Sequence, residues 1–65
     1  MKVYGLTKLG WKIASTKYED TEEFKVLSYL KDNKTGTSSE LEIIGGESYV
    51  LRKLKERGLI QELTT

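Results

Sequence analysis

The side chains best equipped for chemistry cluster near the C-terminus, in the segment Ser48 to Arg57. At helical periodicity, Val50, Leu51, Leu54 and Gly58 share one side, while Ser48, Tyr49, Arg52, Lys53 and Glu56 lie opposite. A guanidinium offers a rigid fork of donors, lysines offer point charges, and hydroxyls both donate and accept. A plainer account also covers this face: any surface helix is polar outward, and cations near its C-terminal end suit the helix dipole. A second cluster is acidic: Glu19, Asp20, Glu22 and Glu23. Acids at the start of a helix complement its dipole, so these read as a solvated N-terminus, not as a catalytic or metal-binding group. A third, Gly36-Thr37-Ser38-Ser39, has the look of a phosphate-loop fragment but lacks that motif's lysine. Thr37 followed by Glu40 accounts for the same residues as a capping box.

Composition narrows the chemistry further. The chain has no cysteine and no histidine. No disulfide framework or thiolate metal site can form, and the commonest zinc ligand and general base is missing. The expectation is a protein without catalytic residues, cofactor or metal, and with no evident small-molecule ligand. Nothing near Met1 resembles a signal peptide, and no apolar run approaches the length of a membrane span. A cytoplasmic protein is therefore expected. The formal net charge is only +1, but it is unevenly spread. Residues 1–18 carry Lys2, Lys8, Lys12 and Lys17 without an acid, giving +4; residues 19–47 sum to −5; residues 48–65 sum to +2. If the fold brings the two ends together, one face becomes basic.

A chain of 65 residues is one small domain, spanning 1–65. It hides only about 60% of the surface its unfolded form exposes, so its core must be simple. With no proline, breaks are read from glycine, capping residues and periodicity. Lys2 to Leu6 alternates Val and Tyr and reads as a strand. Thr7 caps a helix starting at Lys8, with Leu9, Ile13 and Ala14 on one face and Gly10 positioned for close approach of another backbone. Trp11 is expected to pack across the domain, the alternative being an exposed stacking surface. Asp20 or Thr21 opens a second helix to Asn33, with Phe24, Leu27 and Leu30 as its apolar stripe and Val26 and Tyr29 widening it. Asp32 to Gly36 reads as a polar loop. A third helix follows over Ser38 to Ile44, with Leu41, Ile43 and Ile44 apolar, stopped by Gly45-Gly46. A fourth runs from Glu47 to about Arg57, with Gly58 as a left-handed C-terminal cap. Leu59 to Leu63 reads as a second strand. Leu27, Leu30, Leu41, Leu51 and Leu54 are the expected core.

Glu40-Leu41…Ile44-Gly45, followed by Leu51-x-x-Leu54-x-x-x-Gly58-Leu59-Ile60, resembles the core of a winged helix-turn-helix. Residues 21–63 carry the resemblance. A second piece, Leu6-Thr7-x-x-Gly10, is similar to the pattern by which the second wing strand leaves in MarR-like and PadR-like regulators. There it comes last, and here it comes first, so the resemblance is to a circularly permuted form. The fold this implies is α+β, mainly α, with about four short helices. Its sheet is expected to have two antiparallel strands, formed by the N- and C-terminal segments.

The resemblance implies a small DNA-binding protein, a transcriptional regulator that uses helix 47–57 as its recognition helix. Such a helix enters the major groove. Arg52 would then bind guanine in bidentate fashion, Ser48 and Tyr49 would bind phosphate or base, and Lys53 and Lys55 would neutralise phosphates. Double-stranded DNA and a second copy of the chain are the implied partners, because strands at the two termini can also pair between molecules. Two features depart from the family: the wing strands have no hairpin tip between them, and the Gly45-Gly46-Glu47-Ser48 turn is short. With the acidic middle and small net charge, these favour an alternative. It is a protein–protein interaction module on the same scaffold, without nucleic-acid binding.

Overall fold

The computed structural model describes residues 2–16 and 19–63. Lys17, counted above in the basic N-terminal third, lies outside them. The elements follow the order β1 (Val3–Leu6), α1 (Lys8–Thr16), α2 (Glu22–Asn33), β2 (Thr35–Thr37), α3 (Ser38–Ile43), α4 (Ser48–Glu56) and β3 (Ile60–Glu62). The architecture is α+β and mainly helical.

The sheet has three strands, where two were expected. Its order is β2-β1-β3, both neighbours antiparallel to the central strand. The pairing expected between the chain's two ends is present: Tyr4 faces Glu62, Gly5 faces Gln61 and Leu6 faces Ile60. The unexpected strand is β2, read above as part of a loop, in which Gly36 pairs with Tyr4. Thr-Gly-Thr has neither the length nor the alternation that marks a strand locally. It is recruited by the open edge of β1 and by packing. A Cβ at Gly36 would press on the side chains of Tyr29, Leu30 and Leu41 at 3.0–3.3 Å, and glycine leaves that close packing over the core unstrained. Lys34 makes the turn between α2 and β2 with φ 72° and ψ −44°, a conformation rare for a residue with a Cβ.

Helix boundaries follow local chemistry. Thr21 caps α2 by accepting the Phe24 N–H at 3.1 Å. Thr37 and Glu40 form the expected reciprocal capping box on α3. Gly58 ends α4 at φ 74°. α3 is one residue shorter than expected, and α4 has Glu47 and Arg57 as caps at its two ends.

α2 is central, packing on α1, the sheet and α4. Its Val26, Leu27 and Leu30 join Leu41, Val50, Leu51, Leu54, Leu59, Ile60, Tyr4, Leu6 and Ala14 in one buried cluster, which includes every leucine expected in the core. Three apolar expectations differ. Trp11 does not cross the domain but is 45% exposed; Leu9 is 49% exposed and Ile43 85%. The reason for the first two lies in Gly10. α1 meets the rest of the molecule through Gly10 and Ala14, its smallest residues, so that it lies directly on the Leu59 carbonyl. A helix that approaches backbone to backbone turns its large neighbours outward. Among the described residues no helix is long and apolar enough to cross a membrane.

Candidate functional site

α4 presents the predicted site. Val50, Leu51 and Leu54 anchor its inner side, and Ser48, Tyr49, Arg52, Lys53, Lys55 and Glu56 are all exposed. The structure sorts these residues into three rows. Arg52, Tyr49 and Glu56 form the outermost ridge. Lys53 and Arg57 lie on the flank toward α2, and Ser48 and Lys55 on the flank toward the sheet.

Each flank meets a carboxylate. On the α2 side, Glu23 binds Arg57 at 2.8 Å and Lys53 at 3.6 Å. On the sheet side, Glu62 binds Lys55 at 3.5 Å and Lys2 at 3.9 Å. All of these pairs are substantially solvent-exposed, so each is weak and easily exchanged. The Arg52 guanidinium has no hydrogen-bond or ion-pair partner among the described residues, and the hydroxyls of Ser38, Ser48 and Tyr49 are likewise unengaged. The predicted residues are therefore not equivalent. Arg52, Ser48 and Tyr49 stand free, whereas Lys53 and Lys55 are each paired with a carboxylate of a neighbouring element.

Beside the ridge runs a cleft of about 560 Å³, lined by Lys2, Tyr4, Ser38, Ser48, Leu51, Arg52, Lys55 and Glu56. It joins the start of β1, the start of α3 and the sheet-facing side of α4. Lys2, Ser38 and the two bridging carboxylates, Glu23 and Glu62, are not among the site residues expected from the sequence. Half of the signal was legible: the charge asymmetry marked both ends as basic, and the expected pairing of terminal strands brings Lys2 alongside Glu62.

The clearest electrostatic perturbation lies elsewhere. The Glu40 carboxyl is held below its ordinary range because it accepts hydrogen bonds from the Thr37 backbone and side chain and from Tyr29. The Tyr29 hydroxyl is pushed up, chiefly by loss of solvent around it and then by its bond to Glu40. Both groups serve the capping of α3. Among the described residues no group of three or more acidic side chains is arranged to hold a metal ion. The chain matches no protein-family model, no curated protein and no solved structure.

Proposed function

We propose that the protein binds duplex DNA through the outer ridge of α4, as a small transcriptional regulator built on a winged helix-turn-helix. One observation carries the reading: Arg52 projects without a counter-ion among the described residues, between the unengaged hydroxyls of Ser48 and Tyr49. A free guanidinium midway along an exposed helix suits bidentate contact with guanine, and the hydroxyls in the helix's first turn suit phosphate. Element order supports the scaffold. α2, α3, α4 and β3 follow the succession that the resemblance implies, and β1 takes the part of the second wing strand, moved to the front of the chain. The reading assigns no catalytic step and no cofactor. It extends to a cytoplasmic homodimer whose two ridges meet two half-sites; sedimentation showing only the monomer mass would remove that extension.

The test is duplex binding across a salt series. Arg52→Ala is expected to leave the fold intact and weaken binding. Because the contact is to a base edge, the loss should also relax sequence preference at one position. A folded parent that binds no duplex even at low salt ends this reading. A second reading, a protein-interaction module, is favoured by one feature: Ile43 is 85% and Tyr49 59% exposed at the ends of α3 and α4 that flank their connection. Apolar side chains presented in this way gain from cover by a protein partner.

A further inference from the structure

The geometry points to the cleft between the sheet and α4 as a seat for a phosphodiester of the duplex. Lys2, Ser38 and Lys55 are its donors, and Glu62 is the internal carboxylate that this phosphate displaces. The inference rests on the duplex-binding reading and deepens it, adding two binding residues and an element that sets their availability.

Strand register builds the site. Tyr4 and Glu62 are directly opposed, so their side chains share a face of the sheet. That face looks onto α4, because Tyr4 lines the cleft together with Leu51 and Lys55. Lys2 is two residues from Tyr4, and its carbonyl accepts the Ser38 N–H at 3.0 Å, which extends the ladder and brings the start of α3 into the same wall. The alternation of a strand therefore directs Lys2 toward α4. Lys55 projects from α4 toward the sheet, and both ammonium groups converge on one oxygen, Glu62 Oε1, at 3.9 and 3.5 Å.

One anionic oxygen shared by two ammonium groups beside a cleft is the arrangement a phosphate oxygen would adopt. The lysine side chains are 62% and 43% exposed, so solvent screens both pairs and their exchange costs little. A duplex phosphate competes well for such cations, because neutralising it releases counterions condensed on the nucleic acid. The Ser38 and Ser48 hydroxyls line the same cleft without partners among the described residues. Glu56 lines it too, and repels a strand passing over the ridge side. The duplex backbone is thereby directed to the Lys2 side. Glu62 offsets one of the two positive charges until a phosphate arrives.

The experiment is a salt titration of a fluorescent duplex against the full chain and four variants, each checked for folding by circular dichroism. Lys2→Ala is expected to weaken binding and flatten the salt slope by about one unit. Glu62→Gln is expected to tighten binding by about two- to fivefold, the equivalent of releasing an exposed ion pair. That gain should shrink when Lys2→Ala is combined with it. Asp32→Asn makes the same change of charge at the far end of α2 and should leave affinity within about twofold. If the parent binds duplex but Lys2→Ala keeps its affinity and slope, the cleft inference is wrong and the ridge reading survives. If Asp32→Asn tightens binding as much as Glu62→Gln, net charge explains the effect and the inference is equally overturned. No binding by the parent removes both.

Discussion

At the scale of single residues, Gly10 separates helix propensity from tertiary fit. In an exposed helix, replacing glycine by alanine stabilises by about 1 kcal/mol. Here the added Cβ would overlap the Leu59 carbonyl oxygen. The same carbonyl accepts the Thr7 N–H at 3.1 Å, and the Thr7 hydroxyl donates to the Gly58 carbonyl at 2.6 Å while accepting the Gly10 N–H at 3.1 Å. The start of α1 is thus tied to the end of α4 through one threonine and one glycine. Gly10→Ala is expected to destabilise by roughly 1–3 kcal/mol, the usual cost of overpacking, despite its better helix propensity. A urea midpoint equal to or above the parent's would refute the close approach. Gly10 alone signals the close approach, but nothing in its neighbourhood signals that Trp11 turns outward instead of packing across the domain. A glycine announces that a backbone comes near, but not where the neighbouring large side chains then go.

At the scale of elements, α3 is short, and its capping box has a correspondingly large share in holding it. Glu40 Oε1 accepts the Thr37 N–H at 2.9 Å, and the Glu40 N–H donates to Thr37 Oγ1 at 3.2 Å. These bonds favour the charged carboxylate in the folded state and lower its pKa. A depressed carboxyl pKa contributes stability that is present above the unfolded value. That stability is lost as pH falls through the folded one. The parent should therefore exceed Glu40→Gln in thermal midpoint at neutral pH, with the gap closing on acidification below the ordinary glutamate range. Curves that stay parallel down to strongly acid pH would show that the charge plays no part in the cap. The capping box was readable from Thr37 and Glu40 alone, because it is a contact between residues three apart. β2, immediately before it, was not readable, because its partner β1 lies at the other end of the chain.

At the scale of the whole molecule, stability is scarce. With about 0.05–0.15 kcal/mol per residue as the usual range, a chain of 65 residues has roughly 3–10 kcal/mol in total. Leu54 is fully buried where α4 meets the core. Leu54→Ala is expected to cost about 2–5 kcal/mol, a large share of that total, and to lower the denaturant midpoint severely. A midpoint close to the parent's would mean that α4 is not anchored by this side. The same helix carries the candidate interface. Arg52→Ala should therefore weaken binding and leave the midpoint nearly unchanged, while Leu54→Ala should lower the midpoint and weaken binding only in proportion to the fraction unfolded.

The sequence by itself determined what is written in short-range pattern. Apolar residues three and four apart specify which side of α2 and α4 is buried. Thr21, Thr37 and Gly58 mark helix ends, and the Ser48, Tyr49 and Arg52 face follows from helical geometry. The antiparallel pairing of the terminal strands was also foreseen, from the position of Leu6-Thr7-x-x-Gly10 in the chain. Tertiary structure decided everything that depends on contacts between distant segments. It added the third strand at Thr35–Thr37, turned Trp11 and Leu9 outward, and divided the α4 cations between Glu23 and Glu62. The physical reason is the same in each case. Helix faces and caps are determined by residues a few positions apart, whose geometry the backbone dictates. A strand edge, a close backbone approach or a charge partner exists only after the chain has folded back on itself.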